Sequence, residues 1–388
     1  MPAPAPSAGR RGDLVAAIAT IAACDIALGL TFSLLPLILE ARGVPAWLIG
    51  ANAAMGPLGI FCVGPFLPRV VRRFGVRLVV FATIAVICAA LACFKLFPSL
   101  PAWFVIRFVF GIAGGTLFTV SEAWILSIAN TGSRGRIMGL YTSILSITFA
   151  VGPLIIPSTG IDGWMPWLIG IVCVLASIVP FVFVTASDAA FRGAEGEGFF
   201  AFTKRAPLLL CAVLAVTFVD AVILSFFQIW GLRHGVSLGE ISAILGLGII
   251  GNALVQYPVG ILADRWSRTG VIVLGSIATV ILALGLVWTV DSWALWPVAL
   301  VLGSTAFVAY TIALTVLGDE FKGPELIAGS AAMSVMWGFG GIVGPPLTGI
   351  AVDSFGIDAI PIAIAAPFAI LLVLLAVARG RLVRQPAT

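Results

Sequence analysis

The stretches CDIALGLTFSLLPL (residues 24–37) and VDAVILSFFQIWGL (residues 219–232) each place one aspartate inside a long apolar run. Asp25 lies in the run 14–39, and Asp220 lies in the run 206–232. A charge at the centre of a membrane helix costs about 2.5–3.5 kcal/mol on insertion scales. Two such residues in the two halves of one chain predict a buried polar site in a membrane protein. The alternative is that both are structural residues bonded to neighbouring helices.

The composition agrees with a membrane protein. The chain of 388 residues is 61% apolar and 10% charged, whereas a soluble domain carries about 25% charged residues. Spanning a bilayer takes about 20 apolar residues as a helix, and the apolar runs are continuous rather than alternating as in a β-barrel. The sequence therefore predicts an all-α fold of twelve transmembrane helices, at 14–40, 46–68, 78–98, 101–129, 136–158, 164–186, 206–232, 239–263, 270–290, 293–318, 326–352 and 357–379.

The positive charges predict the orientation in the membrane. If both termini face the cytoplasm, all but four of the 21 Lys and Arg residues lie on the cytoplasmic side, as the positive-inside rule requires. The four exceptions are Arg42, Lys95, Arg107 and Arg233. We therefore expect a multi-pass protein of the plasma membrane, the inner membrane in a bacterium. Its net charge of +4 then implies no nucleic-acid partner.

Residues for metal binding or covalent catalysis are scarce. All six cysteines lie in predicted spans, no Cys-x-x-Cys pair occurs, and His234 is the only histidine. A phosphate-binding Gly-x4-Gly-Lys-Ser/Thr loop is also absent from the sequence. We expect no metal, no cofactor and no enzymatic activity.

The two halves of the chain are predicted to be repeats of one another. Residues 1–187 and 206–388 are each predicted to form a six-helix bundle, joined by a cytoplasmic linker at 188–205. Three pairs of residues correspond between the halves: Asp25 with Asp220, Gly64 with Gly260, and Gly152 with Gly344, at offsets of 195, 196 and 192 residues. An internal duplication of this kind is one plan of secondary transporters, which places the substrate site near the membrane midplane between the repeats.

Several motifs resemble those of the major facilitator superfamily. The segment GILADRWSR at 260–268 resembles its cytoplasmic loop motif, and RFVFGIAGG, which begins at Arg107, resembles its fourth-helix motif. Gly152-Pro153 stands where proton-driven exporters of that family carry a Gly-Pro motif. The chain departs from the family at Pro68 or Arg72, where an acid is expected, at Ser267, where Gly is usual, and after Gly152-Pro153, where the closing glycines are missing.

The resemblance implies a gate at the cytoplasmic loops. Its residues are Gly64, Arg69, Gly260, Asp264, Arg265 and Arg268. Asp264 would accept hydrogen bonds at a helix N-terminus, and the arginines would pair with acids of a neighbouring helix. A solvated turn that only obeys the positive-inside rule is the alternative. Bending or close packing of helices five and eleven is expected at Gly152, Pro153, Gly344 and Pro345.

Four charged residues inside the spans are the candidates for proton coupling and substrate binding: Asp25, Asp220, Arg107 and Glu122. Desolvation favours the neutral form of a buried carboxyl group, so each acid can take up and release a proton. Arg107 could instead snorkel towards the membrane surface. Candidates for lining the cavity, each of which could serve helix packing instead, are Trp124, Gln228, Asn252, Gln256 and Tyr310.

The function that fits these features is secondary transport of a small organic solute by alternating access. The resemblance favours a proton-coupled exporter that works as a monomer in the lipid bilayer, with the solute and protons as its partners. Proton-coupled uptake of a small metabolite is the second hypothesis. A membrane-embedded enzyme or lipid scramblase, or a receptor on a transporter scaffold, are rivals from other classes.

Overall fold

A computed structural model describes residues 8–128, 134–182, 199–321 and 324–378 of the chain. In these ranges all regular secondary structure is helical, and twelve helical segments are long and apolar enough to cross a membrane. This confirms the predicted all-α fold. The helices are α1 (Ala8–Ala41), α2 (Ala46–Val63), α3 (Leu67–Phe74), α4 (Val76–Leu96), α5 (Leu100–Ile128), α6 (Arg134–Thr159), α7 (Met165–Ala176), α8 (Ile178–Val182), α9 (Phe199–Arg205), α10 (Pro207–Arg233), α11 (Leu238–Arg265), α12 (Arg268–Thr289), α13 (Leu295–Ala306), α14 (Val308–Glu320), α15 (Pro324–Phe355) and α16 (Ala359–Val377).

Turn chemistry sets several of the helix ends. The turn after α1 contains Gly43 at φ +69°, a conformation that favours glycine. Ser237 and Ser267 cap the N-termini of α11 and α12, each accepting a hydrogen bond of 3.2 Å from the backbone N–H three residues on. This capping role explains why a serine can stand at position 267, where the loop motif usually carries glycine.

The helices group into two compact units. Unit 1 comprises residues 1–35 and 55–193, and unit 2 comprises residues 36–54 and 194–388. The end of α1 and the start of α2 therefore belong with the second half. Of the predicted linker, residues 188–198 lie outside the described ranges, and residues 199–205 form the short helix α9.

Glycine contacts show that one helix crossing occurs in both units. In unit 1, α2 and α5 approach so closely that a Cβ on Gly111 would overlap the backbone of Gly56. In unit 2, α11 and α13 do the same, and a Cβ on Gly303 would overlap Gly248. Gly56 and Gly111 stand 192 residues before Gly248 and Gly303. The two units therefore contain the same helix crossing in the same register.

A second crossing brings the Gly-Pro positions into contact with the first helix of each half. In unit 1 a Cβ on Gly152 of α6 would overlap the backbone of α1 at Leu30. In unit 2 a Cβ on Gly344 of α15 would lie 2.8 Å from the carbonyl oxygen of Phe218 on α10. The absence of a side chain thus permits close packing at both glycines, while α6 and α15 continue through Pro153 and Pro345.

Candidate functional site

Asp25 is buried where α1 and α6 cross. The crossing is closest at Gly29 and Gly152, where an added Cβ would overlap the backbone of the other helix. Asp25 and Thr148 stand one turn before these glycines on their respective helices. Asp25 is only 5% exposed, and the Thr148 Oγ1 lies 3.3 Å from its Oδ2. Small residues one turn away therefore bring the carboxyl and hydroxyl groups together.

The Thr148 hydroxyl has more acceptors than protons. Its Oγ1 lies 3.0 Å from the carbonyl oxygen of Ile144 and 3.1 Å from that of Leu145, in addition to the Asp25 carboxyl. A hydroxyl donates one hydrogen bond but can also accept. When Thr148 donates to its own helix, a protonated Asp25 can donate to Oγ1. When Asp25 is ionised, Thr148 can turn its proton towards the carboxylate, so the pair accommodates both states.

The counterpart of this pair in unit 2 has different chemistry. At the offset of 192 residues found for the glycine crossings, Thr148 of α6 corresponds to Gly340 of α15. Gly340 faces Thr217 of α10, because a Cβ on Gly340 would overlap the Thr217 Oγ1. Asp220 lies three residues beyond Thr217 on α10.

Asp220 itself is half-buried on α10. The structure gives no hydrogen bond or ion pair to its carboxylate from any described residue. Its neighbour two residues earlier, Phe218, is the residue that Gly344 of α15 approaches. The described part of unit 2 therefore supplies no counter-charge to Asp220.

Glu122 on α5 and Tyr141 on α6 extend the polar cluster in unit 1. Tyr141 is fully buried, its ring lies 6.4 Å from that of Phe118, and its hydroxyl has no hydrogen-bond partner among the described residues. Glu122 stands one turn after Phe118 on α5. We call Asp25, Glu122, Tyr141 and Thr148 the unit 1 polar cluster.

Sequence reasoning did not assign Tyr141 and Thr148 to the site. They stand seven residues apart on α6, which is about two helical turns and places both on one face. Polar residues at that spacing inside an apolar helix were the signal available in the sequence.

Arg107 lies in the interior of unit 1. It is 2% exposed, and its Cζ lies 5.6 Å from the centre of the Phe32 ring on α1, within the range of a cation–π contact. This placement favours an interior role over snorkelling. Glu122 follows 15 residues later on the same helix, roughly 22 Å along its axis, so the two do not meet.

The candidates for lining a cavity are mostly engaged in packing. Trp124 meets the ring of Phe181 edge-on at 5.9 Å, and Tyr310 meets Trp337 at 5.2 Å. The Gln228 Nε2 donates to the Ser242 Oγ at 2.8 Å.

Asn252 borders a narrow crevice that encloses no space for even a water molecule. Ligand pockets usually measure roughly 300–1,000 Å³, so this crevice is too small to hold a solute. Of Gln256 the structure describes only the helix that contains it, α11.

The residues of the predicted gate lie around the ends of α2, α11 and α12. Arg69 and Arg265 are exposed, as is Gly64, and Arg268 pairs with Asp319 on α14. A second ion pair joins Arg205 on α9 to Glu325 in the first turn of α15, and the Arg205 Cζ lies 5.2 Å from the Phe321 ring. The side chain of Asp264 and the surroundings of Gly260 lie outside what the structure describes.

Among the described residues no group of three His, Cys, Asp or Glu side chains is arranged to hold a metal ion. The polar cluster of unit 1 offers instead carboxyl, phenol and hydroxyl groups, which can exchange protons and form hydrogen bonds with a solute.

Comparison with known proteins gives a consistent result. The family model described as Major Facilitator Superfamily matches residues 16–321 and 208–388. The uncharacterised MFS-type transporter YfkF of Bacillus subtilis (strain 168) is 23% identical over 345 residues, which cover 84% of this chain and 85% of that protein. The uncharacterised MFS-type transporter YcaD of Escherichia coli (strain SE11) is 23% identical over 355 residues, covering 90% and 91%.

Solved structures share the fold at low sequence identity. The nucleoside transporter NupG has a TM-score of 0.79 at 13% identity and covers 97% of this chain and 100% of its own. A bacterial homologue of the human lysosomal transporter Spinster, in an inward-facing and unoccupied conformation, has a TM-score of 0.77 at 13% identity and covers 99% and 100%. With the family match over nearly the whole chain, these findings show that the chain belongs to the major facilitator superfamily and is a multi-pass membrane protein of secondary transport.

Proposed function

We propose that the protein is a proton-coupled exporter of a small organic solute and that Asp25 carries the coupling proton. It acts as a monomer in the plasma membrane, with both termini in the cytoplasm, and alternates between access to the two sides. The proton gradient supplies the energy, so transport needs no cofactor. The two sides of the cycle differ in whether Asp25 is protonated.

One observation carries this proposal: the buried Asp25 carboxyl faces a hydroxyl that can serve it in either protonation state. The Thr148 Oγ1 lies 3.3 Å from the Asp25 Oδ2 and 3.0 Å from the carbonyl oxygen of Ile144. No ion pair to Asp25 occurs within the described ranges. A buried carboxylate without a counter-charge is costly, so a change in the access of water to this site favours uptake or release of its proton.

The other charged residues of the spans take separate roles. Asp220 contributes to recognition of the solute or of a cation, since it is half-buried and has no ion pair among the described residues. Arg107, whose guanidinium lies over the Phe32 ring inside unit 1, takes part in proton or solute coupling. Glu122 shapes the cytoplasmic half of the solute path.

The gate residues control access from the cytoplasm. The ion pair of Arg268 with Asp319 and the Ser267 cap hold the start of α12 in place within unit 2. Charge-assisted pairs of this kind can break and re-form at modest cost when exposed. We propose that Asp264 and Arg265 complete the gate, with Gly64, Arg69 and Gly260 at the turns.

Export is favoured by the Gly152-Pro153 pair of α6, because this pair resembles the motif of proton-driven exporters. Uptake of a small metabolite is the second candidate, because the residues that follow, Leu154 to Pro157, lack the closing glycines of that motif. In proton-coupled export the solute and the proton cross the membrane in opposite directions, whereas in proton-coupled uptake they cross in the same direction.

The test is transport by the purified protein in liposomes that contain a pH-sensitive dye and begin at equal pH on both sides. When a transported solute enters the lumen, exchange for protons raises the luminal pH, whereas movement with protons lowers it. We expect a rise for some members of a solute panel and none in liposomes without protein. Solute flux with a fall in pH would support uptake, and the absence of solute flux would support a scramblase or receptor.

A further inference from the structure

We propose that the short helix α3, with Phe66 before it, forms a docking surface for anionic phospholipids of the surrounding membrane. The surface lies in unit 1 and is separate from the polar cluster that contains Asp25, so the inference depends neither on the solute nor on the coupling proton. The residues of this surface, which we call the α3 surface, are Phe66, Arg69, Val70, Arg72, Arg73 and Phe74.

The position of α3 in the chain is the first reason. The helices on either side of it, α2 and α4, are both long and apolar enough to cross the membrane, and residues 64–75 join them. Gly75, at φ +78°, makes the turn from α3 into α4, a conformation that favours glycine. A helix of eight residues on so short a connection between two spans lies at the surface of the bilayer.

One face of α3 fastens the helix to the protein. Leu67 and Val71 stand one turn apart and are buried, and α3 packs against α4. The backbone N–H of Gly75 donates to the carbonyl oxygen of Val71 at 2.8 Å. These contacts fix which sides of the helix remain exposed.

The exposed remainder of α3 has an apolar side and a basic side. Steps of four residues place Phe66, Val70 and Phe74 in one row, and these side chains are 59%, 38% and 53% exposed. An exposed apolar row beside a basic face is typical of helices that lie in the membrane interface, with apolar side chains among the acyl chains and cations among the headgroups. The basic face consists of three exposed arginines, Arg69, Arg72 and Arg73.

The uncompensated charge of these arginines is the second, independent reason. Arg72 and Arg73 follow Arg69 by three and four residues, so their side chains are neighbours on the helix. The ion pairs found within the described ranges all join other residues, and the sequence has no Asp or Glu from residue 41 to residue 121. Unit 2 differs, because Arg268 at the start of α12 pairs with Asp319. The α3 surface therefore presents positive charge that an external anion can balance.

An anionic phospholipid fits both sides of the α3 surface at once. Guanidinium groups bind phosphate oxygens through paired hydrogen bonds, and the acyl chains of the same molecule can cover the apolar row. The two sides meet where the Arg73 Cζ lies 5.4 Å from the centre of the Phe74 ring. A soluble anion such as free phosphate would bind the arginines and leave the apolar row in water. In the predicted orientation the surface lies at the cytoplasmic leaflet, which carries a negative surface potential.

The experiment measures hydrogen exchange of the purified full chain in nanodiscs by mass spectrometry. One sample contains phosphatidylcholine alone, and a second contains phosphatidylcholine mixed with phosphatidylglycerol of the same acyl chains. A third contains phosphatidylcholine with glycerophosphoglycerol, the soluble headgroup, in the buffer. We expect phosphatidylglycerol to slow exchange of the backbone N–H groups of residues 69–75 and the soluble headgroup to leave it unchanged. Equal exchange with and without phosphatidylglycerol would overturn the proposal, as would equal slowing by the soluble headgroup, which would indicate a site for free phosphates.

Substitutions on the basic side test the contribution of charge. Arg72→Gln and Arg73→Gln should each remove most of the slowing, since one basic residue near an anionic surface contributes roughly fivefold in affinity. Lys204→Gln removes an exposed positive charge from α9 in unit 2, which is predicted to lie on the same side of the membrane, and should leave the slowing intact. An equal loss in Lys204→Gln would mean that the net charge of the protein, and not the α3 surface, attracts the lipid.

A substitution on the apolar side tests the contact with acyl chains. Phe74→Gln should accelerate exchange of residues 69–75 in both kinds of nanodisc, because this contact does not depend on the charge of the headgroup. Wild-type exchange in Phe74→Gln would contradict the docking of the apolar row on lipid.

Discussion

Thr148 offers one proton to three acceptors: its own helix at Ile144 and Leu145, and the Asp25 carboxyl on α1. This competition is what allows the pair to serve a carboxyl group that gains and loses a proton. The sequence revealed the aspartate, because a charge in an apolar run stands out. It did not reveal Thr148, because a threonine in a membrane helix usually bonds to its own backbone, and only the crossing of two helices shows which neighbour it faces.

Replacing Thr148 tests this role at the residue scale. Thr148→Val keeps the shape and removes the hydroxyl, so proton-driven accumulation should fall roughly tenfold, the effect of about one hydrogen bond. Its dependence on pH should also change. Thr148→Ser should restore both, because serine retains the hydroxyl. The measurement is solute accumulation in liposomes over a range of external pH, and a Val variant with the wild-type profile would show that the hydroxyl is structural.

At the scale of the helices, glycine contacts decide how the elements pack. Sequence patterns predicted the twelve spans, including the separation of α4 from α5 at Pro98 to Pro101. They could not predict which residues meet where two helices cross. The pairs Gly56–Gly111 and Gly248–Gly303 show this directly, because their backbones are in contact.

Alanine substitution tests these crossings. Gly111→Ala and its counterpart Gly303→Ala would each drive a methyl group into the facing backbone, and overpacking costs about 1–3 kcal/mol. We expect both to lower the thermal unfolding temperature in detergent by several degrees. Gly285→Ala is the control, because nothing lies within 4 Å of its Cβ position, and it should be neutral or slightly stabilising. Equal effects at all three positions would contradict the close crossings.

The first turn of α2 provides a second test at this scale. Within unit 2 the Asp353 carboxylate accepts hydrogen bonds from the backbone N–H groups of Ala46 at 3.0 Å and Trp47 at 2.8 Å. This is the role of an N-cap, supplied by the last turns of α15. The sequence does not reveal this cap, because Asp353 lies 307 residues after Ala46 and 306 residues after Trp47.

Removal of that carboxylate should loosen the start of α2. Asp353→Ala is expected to cost about 1–2 kcal/mol and to accelerate hydrogen exchange of the backbone at residues 46–50, as measured by mass spectrometry. Asp291→Ala, at an exposed turn, is the matched control. Unchanged exchange in Asp353→Ala would mean that the capping bonds contribute nothing to the order of this turn.

Across the whole molecule, both units contain the same kind of helix crossing but place different polar residues at it. The crossing that holds Asp25 and Thr148 in unit 1 holds Thr217 and Gly340 in unit 2, where a side chain at Gly340 has no room. The halves thus share their packing and differ in their chemistry. This asymmetry favours unit 1 as the place of proton coupling. It could not be predicted from the sequence, because only the contacts between helices show that Thr148 meets a carboxyl group and Gly340 a threonine.

The central claim is that Asp25 couples solute movement to the proton gradient, and Asp25→Asn tests it most directly. The amide has nearly the shape of the protonated carboxyl but can neither take up nor release the proton. Two assays on the purified variant in liposomes are needed, one with a pH gradient and one that measures solute counterflow without it. The account predicts loss of gradient-driven accumulation with counterflow retained. Normal accumulation against a gradient in Asp25→Asn would contradict it and place the proton path elsewhere.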